Sequence, residues 1–177
     1  MNIRTRLFLA FLLLVVLPLA VVSSVGLNAI ERVSELTMAE SVQQMKALGE
    51  TSIRQKALDV AAQVQLYLEA HPEAAANPVD MMADQELAAI AVQPVGKTGD
   101  TALYDSKGIT YFHSNPELVG KDMHMFAATL PEFWAIFDAS LDGTVVGSYY
   151  VWKEADGSLR EKYMEAVPVG DTSFRIA

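Results

Sequence analysis

The chain has 177 residues, 51% of them hydrophobic and 20% charged, enough for one domain with a core and an appendage but too few for two large domains. With 13 basic against 22 acidic residues the formal charge is −9, and the lack of a basic stripe excludes a surface built to neutralise phosphates, so no nucleic-acid partner is expected. Zero cysteines exclude disulfides, zinc–thiolate sites, a thiol nucleophile and a lipid-modified cysteine.

Leu7 to Leu27 is an apolar run without charge, interrupted only by Pro18, Ser23, Ser24 and Gly26. About 20 such residues cross ~30 Å of hydrocarbon. Arg4 and Arg6 precede the run, so the positive-inside rule places residues 1–6 in the cytoplasm and the rest of the chain in the periplasm, anchored in the inner or plasma membrane by one span. Val22-Ser23-Ser24 has the small residues of a signal cleavage site. The run outlasts a usual signal core, however, and helix continues beyond it, so a retained anchor is expected.

From Asn28 to Ala70 there is no proline, and apolar residues fall at Ile30, Val33, Val42, Met45, Ile53, Ala57, Val60, Val64 and Tyr67. Steps of three and four predict an amphipathic helix roughly 60 Å long, stopped by Pro72. These steps suit a seam with a second copy, which makes a homodimer the expected assembly, and burial against the chain's own sheet explains them equally well. The polar face carries as much acid as base, against a membrane-surface role.

Residues Ala74 to Val79 read as a connection, Met81 to Ala91 as a short helix, and Thr101–Asp105 with Ile109–Ser114 as two strands. Gly108 can supply the left-handed position that closes the turn between those strands. Met123 to Phe126 reads as loop, and Pro131 opens a helix that carries Phe133, Trp134 and Phe137. Asp142-Gly143 turns into a strand, Thr144–Lys153; Glu154–Ser158 is a hairpin loop; Leu159–Val169 is the return strand; Ser173–Ala177 starts a fifth. Val145-Val146 and Tyr149 to Trp152 place large groups on both faces, whereas a sheet with one wet face alternates. Both faces are therefore expected to be covered, one by the long helix and one by the Pro131 helix. A ligand pocket belongs under the second cover.

Three stretches carry a family likeness: Thr98-Gly99 leading to Leu103-Tyr104-Asp105-Ser106-Lys107-Gly108; His113-Ser114-Asn115-Pro116-Glu117-Leu118-Val119-Gly120-Lys121-Asp122; and Gly147 to Trp152 with Lys162-Tyr163-Met164 and Val167-Pro168-Val169. Together with the order of parts they resemble the Cache family of prokaryotic extracytoplasmic sensor domains over residues 28 to 177. The second stretch is the most specific. The resemblance implies an α+β fold: a transmembrane helix (7–27), a long helix (28–70), and a five-stranded antiparallel PAS-like sheet with its covering helices (71–177). It implies small-molecule sensing for a receptor such as a histidine kinase, chemotaxis transducer or cyclic-dinucleotide enzyme. Where many relatives carry an aromatic after the first motif's glycine, this chain has Asp100. Such sensors continue through a second span into an output module, so the chain resembles the N-terminal, sensor part of a longer protein, with its sheet incomplete at the C-terminus.

The candidate ligand-binding residues are Tyr111, His113, Trp134, Tyr150, Trp152 and Lys162. His113 lies at a strand end and shares a face with Tyr111 by alternation, its other role being to cap the turn at Asn115-Pro116. Tyr150 and Trp152 share one strand face and offer polar tips as well as rings. Trp134 is the ring expected to close the pocket from above. If the ligand is a carboxylate or amino acid, as the resemblance permits, a cation should meet it, and Lys162, which shares a face with Arg160 and Met164, is the choice. No catalytic residue, metal ligand or cofactor is expected: the sequence has no Gly-x-Ser-x-Gly elbow, no phosphate loop and no HExxH, and Asp122-Met123-His124 is better explained by chance than by metal binding. An enzyme, if any, lies in the output module. A pilin-like subunit is the structural alternative, disfavoured because Leu7 to Leu27 has no acid. An exported solute-binding protein is the other, and it requires signal cleavage.

Overall fold

The computed structural model describes residues 2–74, 76–153 and 157–177. Ala75 of the expected connection and Glu154, Ala155 and Asp156 of the expected hairpin loop lie outside them. The chain divides into two compact units, Met1–Leu48 and Gly49–Ala177.

One helix, α1 (Ile3–Ala70), supplies the whole of the first unit's helical structure and continues into the second. Its segment Ile3–Ala20 is long and apolar enough to cross a membrane and has none of its residues buried, so the qualifying stretch starts before the expected Leu7. Pro18 sits inside the helix, a position that lipid-facing helices tolerate when local adjustment satisfies the freed carbonyl. Further along the first unit Val33, Leu36, Met38, Val42, Met45 and Leu48 are all exposed.

The second unit is α+β. After α1 come α2 (Pro78–Ala83) and α3 (Gln85–Ala91). The expected single helix from Met81 is thus two, because Asp84 breaks it. That residue is extended, and its carboxylate accepts the N–H groups of Glu86 and Leu87 at 3.0 Å each, capping α3. A short hairpin not foreseen from sequence follows, β1 (Pro94–Val95) with β2 (Gly99–Asp100). Then come β3 (Leu103–Asp105) and β4 (Thr110–Phe112), closed by Gly108 at φ +81° and by the Asp105 carboxylate, which accepts from the backbone of Lys107 and Ile109. Pro116–Leu118 and Met123–Phe126 are 3-10 turns capped by Asn115 and Asp122, so the latter segment is not the irregular loop expected. Helix α4 (Pro131–Ser140) precedes β5 (Val146–Lys153), β6 (Leu159–Pro168) and β7 (Phe174–Ile176).

The main sheet is five-stranded and antiparallel in the order β4-β3-β7-β6-β5. One face packs on the C-terminal part of α1: Ala57, Val60, Val64 and Leu68 meet Leu103, Phe112, Val167, Val169, Phe174 and Ile176 in one core. The other face packs under α4 through Tyr104, Met123, Ile136, Phe137 and Met164. Both faces are covered, as the mixed strand patterns require.

Two devices hold these covers in place. On the α1 face, the Tyr149 hydroxyl donates to Glu50 (2.8 Å), the Tyr163 hydroxyl donates to Glu165 (2.7 Å), and Arg54 lies 3.5 Å from the buried Glu165. Gly147, paired with Glu165 across the ladder, leaves the room this cluster needs, since a Cβ there would collide with the Glu165 carboxylate and the Tyr163 hydroxyl. On the α4 face, buried Arg175 donates to the carbonyls of Ser140 (3.0 Å), Leu141 (3.1 Å) and Phe174 (2.9 Å). A cation there complements the C-terminal end of α4 as well as its open carbonyls.

Candidate functional site

Between the sheet and α4 a cavity of about 660 Å³ opens, within the size range of small-molecule sites. Four rings form its roof and far wall: Phe126 from the 3-10 turn, Phe133 from α4, and Tyr150 and Trp152 from β5. Their centroids lie 5.7 to 6.4 Å apart in tilted and edge-on arrangements. Tyr150 and Trp152 meet because residues two apart on a strand share a face. The Glu132 carboxylate accepts the Val151 N–H at 3.0 Å, fastening the first turn of α4 to β5 between them. All four rings keep part of their surface exposed.

Polar groups enter from the sheet. Lys162, opposite Tyr150 in the ladder, places its ammonium 5.6 Å from the centre of the Trp152 ring, a cation–π contact. Arg160, opposite Trp152, also lines the cavity. His113 lies at the opposite wall beside Asp100 and Asn115. Its Nδ1 accepts the Asn115 N–H at 2.8 Å, so it caps the turn, and in the neutral ring the proton sits on Nε2, a donor. Burial lowers the pKa of His113, against the pull of the nearby Asp100 charge. Deeper in, the Tyr104 hydroxyl and Ser140 Oγ share a 2.7 Å hydrogen bond, and burial pushes that phenol up to about 12.

Of the six residues singled out from sequence, His113, Tyr150, Trp152 and Lys162 line this one cavity, and Tyr111 and Trp134 do not. The parity that grouped Tyr111 with His113 fails at a β-bulge. Leu103 pairs with Phe112 and Tyr104 with Thr110, so Tyr111 is an extra residue on its strand. Its ring turns to the α1 face, edge-on to Phe174 at 5.1 Å, and borders a separate, more polar cleft of about 600 Å³ with Gln65, Asp105 and Thr172. Trp134 misses the cavity because one residue on a helix is a rotation of about 100°. Phe133 and Phe137, four apart, take the inner face, while Trp134 meets the His124 ring in a tilted contact at 4.6 Å outside the cavity. That i, i+4 pair was the available signal. Phe126, Asp100 and Asn115 had none, since only the fold of their turns brings them to the wall.

Asp122 and His124 meet in a 2.6 Å contact that belongs to the cap of the 3-10 turn, and both are exposed. Among the described residues no three histidines, cysteines or acids gather as a metal-ion site. The cavity can enclose a small molecule between rings and meet it with cationic and imidazole donors. No family model, curated protein or solved structure matches this chain.

Proposed function

We propose that residues 49–177 are the small-molecule input module of a membrane-anchored receptor, with a PAS-like sheet of the Cache type. The observation that carries this is the cavity: partly exposed rings, a lysine and a turn-capping histidine converge under α4, while the sheet's other face packs its buried core against α1. Counting the five main strands alone gives the order 2-1-5-4-3, the arrangement of a PAS-like sheet, which supports the fold assignment. Arg4 and Arg6 ahead of the apolar stretch favour an extracytoplasmic module.

In this scheme the ligand is a small organic molecule with an anionic group. Tyr150, Trp152, Phe126 and Phe133 take its apolar body, Lys162 its carboxylate, and His113 Nε2 donates from the facing wall. Binding changes the output only if the ligand prefers one of two packings of α4 and β5 on the sheet. The Tyr149–Glu50 and Arg54–Glu165 contacts then pass the shift to α1. The exposed apolar positions Val33, Val42 and Met45 are where a second copy would pair.

A thermal-shift screen of the chain in detergent with organic acids, amino acids and amines tests the assignment. A true ligand at a hundred times its Kd adds about 2.7 kcal/mol, and that gain disappears in Trp152→Ala and in Lys162→Met. If no compound in these classes stabilises the chain, or if both variants keep the full shift, the assignment fails.

A further inference from the structure

The polar cleft beside Tyr111 opens at the end of the sheet, where two turns, residues 106–109 between β3 and β4 and residues 169–173 between β6 and β7, stand beside the last two turns of α1. The turns are tied together by the Ser106 N–H, which donates to the Ser173 carbonyl at 2.7 Å. Gln65 of α1 lies so close over Gly170, at φ +50°, that a Cβ there would collide with it. The walls are therefore held by the fold. At about 600 Å³ the cleft is within the range of small-molecule sites. Its apolar lining is Leu68, Tyr111 and Phe174, all buried.

One wall is a buried carboxylate. Asp105 is 8% exposed, and its Oδ1 accepts the N–H groups of Lys107 and Ile109 at 2.9 Å each. Among the described residues no cation pairs with it, although Lys107 lines the same cleft. A carboxylate taken out of water is ordinarily paired or bound to a metal. Its remaining neighbour is the Tyr111 phenol, whose pKa is raised by burial and then by the Asp105 charge and hydrogen bond. A neutral phenol donates one hydrogen bond but cancels no charge. Glu69 and Asp171 bring two more carboxylates to the cleft against the single ammonium of Lys107. Among the described residues the Asp171 carboxylate and the Ser106 and Ser173 hydroxyls take part in no hydrogen bond. No three acids or histidines among them gather closely enough to hold a metal ion, which favours an organic cation over a metal.

We propose that this cleft is a second binding site, for a small organic molecule carrying a primary ammonium group on a short carbon chain. The ammonium meets the unpaired Asp105 carboxylate in a charge-assisted hydrogen bond, and the Ser106 and Ser173 hydroxyls accept its remaining protons. The exposed carboxylates of Glu69 and Asp171 draw the cation in. Its carbon chain lies on Leu68, Tyr111 and Phe174. An anion of the same size is repelled, so this site and the cavity under α4, where Lys162 meets a carboxylate, select groups of opposite sign. The site does not depend on the input-module assignment.

The test titrates butylamine, with butyrate as the matched anion, into the isotope-labelled full chain in neutral detergent at neutral pH, and follows the amide NMR signals of Ser106, Lys107, Thr172 and Ser173. Butylamine is expected to move these signals saturably and butyrate to leave them in place, with the same butylamine response in Trp152→Ala. Asp105→Asn, whose amide oxygen still accepts the two N–H groups, is expected to weaken binding at least about tenfold. The double variant Glu69→Gln, Asp171→Asn changes only exposed side chains and weakens it about fivefold, while Lys107→Gln removes a competing ammonium and tightens it. Unmoved amide signals of Leu103 and Ile176 mark intact folding in each variant. The proposal is overturned if butylamine gives no saturable response, if butyrate moves the same signals, if the response vanishes in Trp152→Ala, or if Asp105→Asn and the double variant both keep the full affinity.

Discussion

The two faces of the main sheet are built from different materials. The α1 face is closed mostly with aliphatic side chains, beside the buried rings of Tyr111, Phe112 and Phe174, and Val60, Val64, Leu103, Val167, Val169 and Ile176 are each 0% exposed. The α4 face is closed with rings, and Phe126, Phe133, Tyr150 and Trp152 remain half-exposed around open space. Branched aliphatic groups on a strand and a helix interdigitate to crystal-like density. Rings meeting edge-on at 5.7 to 6.4 Å do not fill their corner, and they keep a shape that a small molecule can enter. One face is organised for stability and the other for occupancy.

Substitutions can break that contrast. The largest loss is expected for Leu103→Ala on the aliphatic face, about 2–5 kcal/mol from lost burial plus a cavity, read by urea unfolding. Gly147→Ala forces the Tyr163–Glu165 pair apart at the same face and should cost about 1–3 kcal/mol by the same measurement. Asp84→Ala strips the cap of α3 and the acceptor of the Tyr67 hydroxyl (2.7 Å), at a cost of about 1 kcal/mol. Loss of that carboxylate also returns the Tyr67 phenol from about 12 toward 10.0, visible in an ultraviolet pH titration, because the hydrogen bond to Asp84 is the main cause of its rise. Trp152→Ala on the ring face should cost only about 1 kcal/mol of stability. If it costs as much as Leu103→Ala, the two faces do not differ in the way proposed.

The smallest effect concerns pH. His113 has a folded pKa lowered from 6.5, mainly by burial. The stability it contributes is complete above 6.5 and is lost as pH falls through the lowered folded value, because in that window the unfolded chain holds a proton that the folded chain lacks. Asp84, Asp122 and Asp142, lowered from 3.8 chiefly by hydrogen bonds, lose theirs only at more acid pH. Chemical denaturation between pH 7 and 5 should show a decline that His113→Gln removes, with the same decline in the variant counting against the assignment.

Local signals made much of this fold legible. Charge-free length marked the apolar end of α1, steps of three and four marked its buried positions Ala57, Val60 and Val64, Gly108 marked a turn, and Pro131 marked a helix start. β-Branched and aromatic clusters marked β5 and β6. Each is a property of neighbours within one or two turns of chain, and those properties hold wherever the segment ends up. The site was legible where it obeyed strand periodicity, as Tyr150, Trp152 and Lys162 do, and at His113, which its place at a strand end marked although its parity with Tyr111 failed.

What only the tertiary structure decided is register and rotation. A bulge of one residue sent Tyr111 to the opposite face, and a rotation of about 100° along α4 exchanged Trp134 for Phe133. The place of β7 between β3 and β6 depends on pairings between residues some 70 positions apart, such as Leu103 with Ile176. The sequence by itself determined the long helix, the Pro131 helix and the main strands, because these are written in local spacing, while the β1–β2 hairpin and the break at Asp84 escaped it. Which edge meets which, and which ring reaches the cavity, is settled by long-range packing, where a shift of one residue reverses the outcome.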